Sequence, residues 1–237
     1  MLLIERTVYM KRVLVVEDEY GIRELITLNL EIGGYEVTGV ESAESAGQLF
    51  KEGKQFDVVL LDIMLPGMNG IDFCAELRKQ NKNIGIIMLT AKSQEIDKIS
   101  GFASGADDYV VKPFSIGELI ARVDAVYRRT VMTSDEKPSD TIISVGEFAL
   151  DSISHTVTRN NSVLDLTQIE YSLMEMFLSN PGVALKREDI FKTVWGDGYV
   201  SDFKIVDVNV CRLRNKLGTD GSDIICTVRG YGYRWTV

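Results

Sequence analysis

Five residues with the chemistry of a phosphoryl-transfer site stand at the ends of short apolar runs. Glu17 and Asp18 follow Val13 to Val16, Asp62 follows Val58 to Leu61, Thr90 follows Ile84 to Leu89, and Lys112 follows Tyr109 to Val111. Three carboxylates brought together repel and raise one another's pKa unless a cation sits among them. An oxygen-only ligand set suits magnesium, which takes a few carboxylates and keeps waters. Asp62, between the other acids and the Thr90/Lys112 pair, is placed to act as a nucleophile toward a phosphoryl group. The metal and Lys112 would neutralise charge on the transferred oxygens while Thr90 hydrogen-bonds one of them, leaving an aspartyl phosphate. A lone acid, threonine or lysine at a strand end is most often a solvated or structural residue; the inference rests on all five occurring at successive ends.

The elements that must position these residues are legible in the same stretch. The strand candidates are Val13 to Val16, Tyr35 to Val40, Val58 to Leu61, Ile84 to Leu89 and Tyr109 to Val111. Three of them are apolar at every position, the pattern of parallel strands covered on both faces, and helical patterns separate and follow them, the spacing of Ile116, Leu119, Val123 and Val126 after the fifth being an example. A five-stranded, doubly wound α/β domain is expected, and such sheets bind ligands at the carboxyl ends of their strands.

The chain has 237 residues, ample for two domains. Residues 1–9 read as an N-terminal extension, 10–129 as the α/β domain, 130–140 as a polar linker, and 141–237 as a second domain. In the second domain, strand-like stretches at Ile142 to Val145, Glu147 to Leu150, His155 to Arg159 and Val163 to Leu166 suggest an antiparallel sheet. Thr167 to Glu170 is a capping box opening a helix to about Ser179. Further helices are expected over Lys186 to Val194 and Lys204 to Leu217, then a terminal hairpin of Ile224 to Thr227 and Tyr233 to Val237. Helices followed by a hairpin suggest an α+β winged helix-turn-helix.

No apolar run approaches the roughly 20 residues that span a bilayer, so no membrane partner is expected. Cys74, Cys211 and Cys226 are odd in number and far apart, and His155 is the only histidine, so neither a disulfide framework nor a zinc site can be drawn; the reducing cytoplasm is the expected compartment. A net charge of -9 argues against a globally basic nucleic-acid binder, so any DNA surface must be local. Between Lys204 and Arg234 six basic residues face three acids. Val206, Val210, Leu213 and Leu217 form one apolar stripe of the helix there, leaving Lys204, Arg212, Arg214 and Lys216 largely off it. For Lys216 compensation of the helix dipole is the better explanation; for Arg212 and Arg229 a DNA contact is.

The motifs VLVVEDE, VVLLDIMLPGMNG, IIMLTAK and GADDYVVKPF resemble the receiver domains of two-component response regulators, and LTQIEYSLMEMF, VDVNVCRLRNKL and TVRGYGYRW resemble the effector domains of the OmpR/PhoB class. The resemblance implies a phosphorylation-dependent transcriptional regulator that takes a phosphoryl group on Asp62 from a sensor histidine kinase. It assigns magnesium to Glu17, Asp18, Asp62 and the backbone carbonyl of Met64, a cis Lys112–Pro113 bond, and a switch role to Thr90 and Tyr109. It implies DNA contacts from Lys204, Asn209, Arg212, Arg214, Thr227 and Arg229, and a homodimer formed on phosphorylation with Lys98, Asp107, Asp108, Glu118, Arg122 and Arg128 in the pairing face. It also implies a place for Trp195 in or beside a loop that touches RNA polymerase in some members. Cys211 and Asn209 depart from residues common at their places in the class.

Three rivals are weighed. A turnover phosphatase of the haloacid dehalogenase type carries a second acid two residues after its nucleophile, where this chain has Met64. A nucleotide-binding domain would carry Gly-x-Gly-x-x-Gly or a Walker loop after the first strand, and neither is there. A regulator that dimerises and binds DNA without phosphorylation is the third, which the complete acidic site disfavours. The chain is therefore expected not to be an enzyme beyond its own phosphoryl transfer and dephosphorylation.

Overall fold

The computed structural model describes residues 10–91, 105–131, 142–196, 203–218 and 221–236. The expected extension, all but the start of the expected linker, and Lys98 lie outside them.

The first domain is a parallel sheet of order β2-β1-β3-β4-β5, with β1 Arg12–Val16, β2 Glu36–Val40, β3 Val58–Asp62, β4 Gly85–Thr90 and β5 Asp108–Val111. Strands β1, β3 and β4 are buried nearly throughout, which is why they carry no polar alternation. Helices α1 Tyr20–Ile32, α2 Ala43–Lys51, α3 Gly70–Gln80 and α4 Ile116–Val131 flank them. The α4 helix runs to Val131, two residues past the domain end expected from composition. Ile26 and Leu30 of α1 and Leu119, Val123 and Val126 of α4 cover one face of the sheet, while Phe73, Cys74 and Leu77 of α3 join the core on the other. The Ser42 and Asn69 side chains cap α2 and α3, accepting from the amides of Ser45 and Asp72.

The second domain opens with a four-stranded antiparallel sheet of β6 Ile142–Val145, β7 Phe148–Asp151, β8 Thr156–Arg159 and β9 Ser162–Val163. The capping box forms: Thr167 N donates to Glu170 Oε2 at 2.7 Å and Glu170 N to Thr167 Oγ1 at 3.4 Å, starting α5 Gln168–Leu178. Then come β10 Ala184–Lys186, α6 Arg187–Trp195, α7 Lys204–Leu217, a short α8 Gly221–Ile224, and the hairpin β11 Ile225–Val228 with β12 Gly232–Trp235. Strand β10 pairs with β12, so the terminal hairpin is a three-stranded sheet, one strand more than periodicity suggested. Three residues are too short a run to show alternation. Trp235 packs edge-on against Phe148, with ring centroids 5.0 Å apart, and joins the hairpin to the first sheet over α5. No helix among the described residues is long and apolar enough to cross a membrane.

The two domains touch. Arg129 Nη1 of α4 donates to the Val194 carbonyl of α6 at 2.9 Å, and Lys82 pairs with Asp165.

Candidate functional site

The β1 and β3 ends bring the acids together: ligand oxygens of Glu17, Asp18 and Asp62 all lie within 4.8 Å of one another. Glu17 and Asp62 are buried and Asp18 is exposed, so the cluster opens to solvent on one side. Arg23, on the first turns of α1, holds the strand exit by donating to the carbonyls of Glu17 at 2.6 Å and Asp18 at 3.2 Å.

Lys112, just beyond β5, closes the other side. Its ammonium donates to Glu17 Oε2 at 2.7 Å and to Asp62 Oδ2 at 2.9 Å. The other oxygen of Asp62, Oδ1, accepts from the Met64 amide at 3.2 Å. Thr90 is fully buried and follows Leu89, the register partner of Asp62, while its carbonyl accepts from the Lys112 amide at 2.6 Å. The Lys112–Pro113 peptide is cis, as the resemblance implied.

Burial pushes the Glu17 carboxyl above its ordinary pKa, and the charges of Asp62 and Asp18 add to this against the pull of Lys112. Burial alone would lower the pKa of Lys112, but its hydrogen bonds to Glu17 and Asp62 outweigh it and the ammonium is held charged more firmly than usual. Three hard oxygen donors with such an excess of negative charge fit a magnesium ion. The Met64 side chain is exposed and supplies no second acid to the cluster.

Tyr109 is buried, and its surroundings were not legible in the sequence. With Met88, Ala106 and Asp108 it faces Ile205, Val208, Asn209 and Arg212 of α7 across a crevice of about 10 Å³, so the two domains are in close contact here.

The residues proposed for DNA contact fall into two groups. Lys204, Thr227 and Arg229 are exposed, and Arg214 is half-buried, donating to the Ile225 carbonyl at 2.9 Å and to Thr227 Oγ1 at 2.9 Å. Asn209 and Arg212 are buried. The Asn209 amide donates to the Ile205 carbonyl at 2.9 Å, and Arg212 Nη1 donates to the receiver-side carbonyl of Ala106 at 2.6 Å. In this arrangement neither residue is open to a groove of DNA.

Of the residues proposed for pairing, four are engaged within the chain. Arg122 donates to both oxygens of Asp108 at 3.0 and 3.1 Å and to Glu118 at 2.8 Å, while Asp107 accepts from Arg78 at 2.8 Å. Arg128 is exposed on α4.

Sequence reasoning missed Arg78 and Gly70. Arg78 is buried, and besides Asp107 it serves the carbonyls of Gly105, Lys82 and Ile84. A helix C-terminal arginine gives no sign of this, because its partners lie in loops outside its own helix. Gly70 stands where an added Cβ would meet the Asp62 carbonyl oxygen at 2.0 Å, and its lone signal was the MNG turn. Trp195, expected in or beside a loop, is the buried last residue of α6, and its indole N–H donates to the Asp107 carbonyl at 3.1 Å.

Comparison with known proteins agrees with this anatomy. Residues 13–124 match the response regulator receiver domain, and residues 161–235 match the transcriptional regulatory protein C-terminal domain. The chain is 41% identical over 227 residues to the sensory transduction protein RegX3 of Mycolicibacterium smegmatis, covering 95% of this chain and 99% of that one. It is 41% identical over 228 residues to the phosphate regulon transcriptional regulatory protein PhoB of Pseudomonas aeruginosa, covering 95% and 97%. Among solved structures, a mutant of RitR superposes with a TM-score of 0.71 at 30% identity, over 95% of this chain and 98% of that one. The acid cluster, the winged helix and the identity along nearly the full length together place the chain in the OmpR/PhoB family, as a phosphorylation-dependent transcriptional response regulator.

Proposed function

We propose that Asp62 is the phosphoacceptor and that its phosphorylation by a sensor histidine kinase drives this chain to pair and to bind promoter DNA. The observation that carries the reading is the bridge of Lys112 to both Glu17 and Asp62 within the carboxylate cluster. An Asp62 oxygen attacks phosphorus, the P–N bond to the donor imidazole breaks, and its electron pair stays on the imidazole nitrogen. Lys112 compensates charge on the transferred oxygens and Thr90 donates its hydroxyl to one of them. Magnesium, held by Glu17, Asp18, Asp62 and the Met64 carbonyl, would supply electrostatic neutralisation of the phosphoryl oxygens. Hydrolysis reverses the modification: water attacks phosphorus and the Asp62 carboxylate leaves, giving inorganic phosphate. The chain catalyses only this transfer and its own dephosphorylation.

Movement of Thr90 toward the phosphoryl group lets Tyr109 shift, and this reshapes the β5 and α4 face. Two receivers then pair through Lys98, Asp107, Asp108, Glu118, Arg122 and Arg128. The four residues paired within the chain would exchange partners in doing so. Each effector lays α7 in a major groove through Lys204, Asn209, Arg212 and Arg214, with Thr227 and Arg229 on the wing, and tethering raises the effective concentration of the second site. The segment joining Trp195 to α7 is the contact proposed for RNA polymerase, and the cytoplasm the compartment.

Incubation with acetyl phosphate and magnesium tests the reading. Asp62 is expected to be labelled once and slowly hydrolysed, and Asp62→Asn to stay unlabelled. Labelling of Asp62→Asn at the wild-type level, or rapid multiple turnover as in a phosphatase, would overturn it.

A further inference from the structure

The ligands proposed for magnesium lie on two chain segments, and each is tied down from outside the cluster. Residues 17 and 18 are held through their carbonyls by Arg23. The second segment runs from Asp62 through Met64 to Asn69, the cap of α3. Its near end is fixed: Asp62 Oδ1 accepts from the Met64 amide at 3.2 Å, the Gly70 amide closes on the Ile63 carbonyl at 3.0 Å, and Leu65 is buried. Beyond Leu65 the chain is exposed at Pro66 and Gly67, and it turns at Gly67 with a φ of 77°. Here a side chain from another element meets it. Glu44 Oε1 accepts from the Met68 amide at 3.0 Å, and the same oxygen packs against Gly67, where an added Cβ would stand 2.7 Å from it.

Glu44 reaches that turn from a firm base. It lies in the first turn of α2, whose Ser42 cap accepts from the Ser45 amide at 3.1 Å and whose Ala43 and Ala46 are buried in the core. Its own amide and that of Met68 hold the carboxyl below its ordinary pKa, and the Ser42 hydroxyl adds to them. An acid in a first turn commonly serves the helix dipole alone. This one also holds a residue 24 positions along the chain. Magnesium demands near-ideal octahedral geometry, so a carbonyl on a loose loop binds it less well, and side chains that orient the ligands tune metal affinity. We propose that Glu44 is a positioning residue for magnesium: it pins the turn at Gly67 and Met68, steadies the loop that presents the Met64 carbonyl, and thereby sets the affinity for the ion. This rests on the proposed ligand set of Glu17, Asp18, Asp62 and the Met64 carbonyl.

The test is magnesium binding by the full chain, read without phosphoryl transfer, by titration calorimetry and by the rise in the receiver's unfolding midpoint as magnesium chloride is added. Glu44→Ala is expected to raise the dissociation constant about three- to tenfold, the worth of one hydrogen bond. Glu44→Gln loses the charge but keeps the acceptor oxygen, and should bind magnesium within about twofold of wild type, because the hydrogen bond to Met68 survives. In acetyl-phosphate labelling, the magnesium concentration that gives half the maximal rate should rise in Glu44→Ala by the same factor, while the rate at saturating magnesium is kept. A Glu44→Ala protein that binds magnesium as wild type does overturns the proposal. So does a Glu44→Gln protein as weak as Glu44→Ala, which would assign the effect to charge. Should Glu44→Ala not fold, Glu44→Asp, which keeps the charge and shortens the reach, decides by the same criterion. If magnesium changes neither the heat nor the midpoint of wild type, the ligand set itself has failed and the role of Glu44 falls with it; in a wild type that responds, the variants decide on Glu44 alone.

Discussion

Gly70 sits against Asp62 so closely that a β-carbon would come within 2.0 Å of the Asp62 carbonyl oxygen. The obstacle is backbone, so it cannot swing aside. The Gly70 amide also donates to the Ile63 carbonyl at 3.0 Å, tying the start of α3 to the end of β3. Gly70→Ala is expected to lower stability by about 1 to 3 kcal/mol through overpacking, read by chemical denaturation. Because the displaced backbone carries Asp62, acetyl-phosphate labelling should slow as well.

Lys112→Ala should fold, yet leave Glu17 and Asp62 without their shared cation. Loss of one donor aimed at the transferred oxygens typically costs about 100-fold or more in rate, and labelling should fall by that order. A rate within about twofold of wild type would remove Lys112 from the proposed machinery, given the size of that expected loss.

Magnesium should stabilise the receiver if the cluster of Glu17, Asp18 and Asp62 holds it. At a hundredfold excess over its dissociation constant a ligand adds about 2.7 kcal/mol, seen as a higher midpoint of the receiver's unfolding. Chelation should abolish the increment, and Glu17→Gln should shrink it. An equal increment in Glu17→Gln would place the ion elsewhere.

The Asp108–Arg122 pair predicts a pH effect of definite sign. Burial raises the Asp108 pKa above its ordinary value while Arg122 opposes the rise. Between the unfolded and the raised folded value the folded chain binds more protons, so this group's contribution to stability falls as pH rises through that window. Arg122→Ala removes the larger opposing charge, widens the window upward and leaves a buried carboxylate without its ion-pair partner, at a cost of about 3 to 5 kcal/mol at neutral pH. Denaturation at pH 5 and pH 7 should show part of the loss recovered at the lower pH. Equal losses at both would show that Asp108 does not titrate there.

Arg229 is exposed on the hairpin turn side. Arg229→Ala should leave stability within about 0.5 kcal/mol of wild type. It should weaken duplex binding and reduce the slope of log affinity against log salt by about one, as for a lost phosphate contact. An unchanged slope would take Arg229 out of the interface.

The five receiver strands and the gathering of Glu17, Asp62 and Lys112 were legible from residue order, because a strand buried on both faces must be apolar throughout and its polar residues collect at its ends. The α7 boundaries were equally plain, since one stripe of Val206, Val210, Leu213 and Leu217 has the helical period. Its second stripe was not, because Ile205, Val208, Asn209 and Arg212 mix apolar with polar and read as a surface suited to DNA. Whether a polar side chain faces solvent, a groove or another domain depends on which carbonyls lie within reach. Those of Ala106 and Asp107 arrive from the segment leading into β5, about a hundred residues away, so only the packed chain decides it.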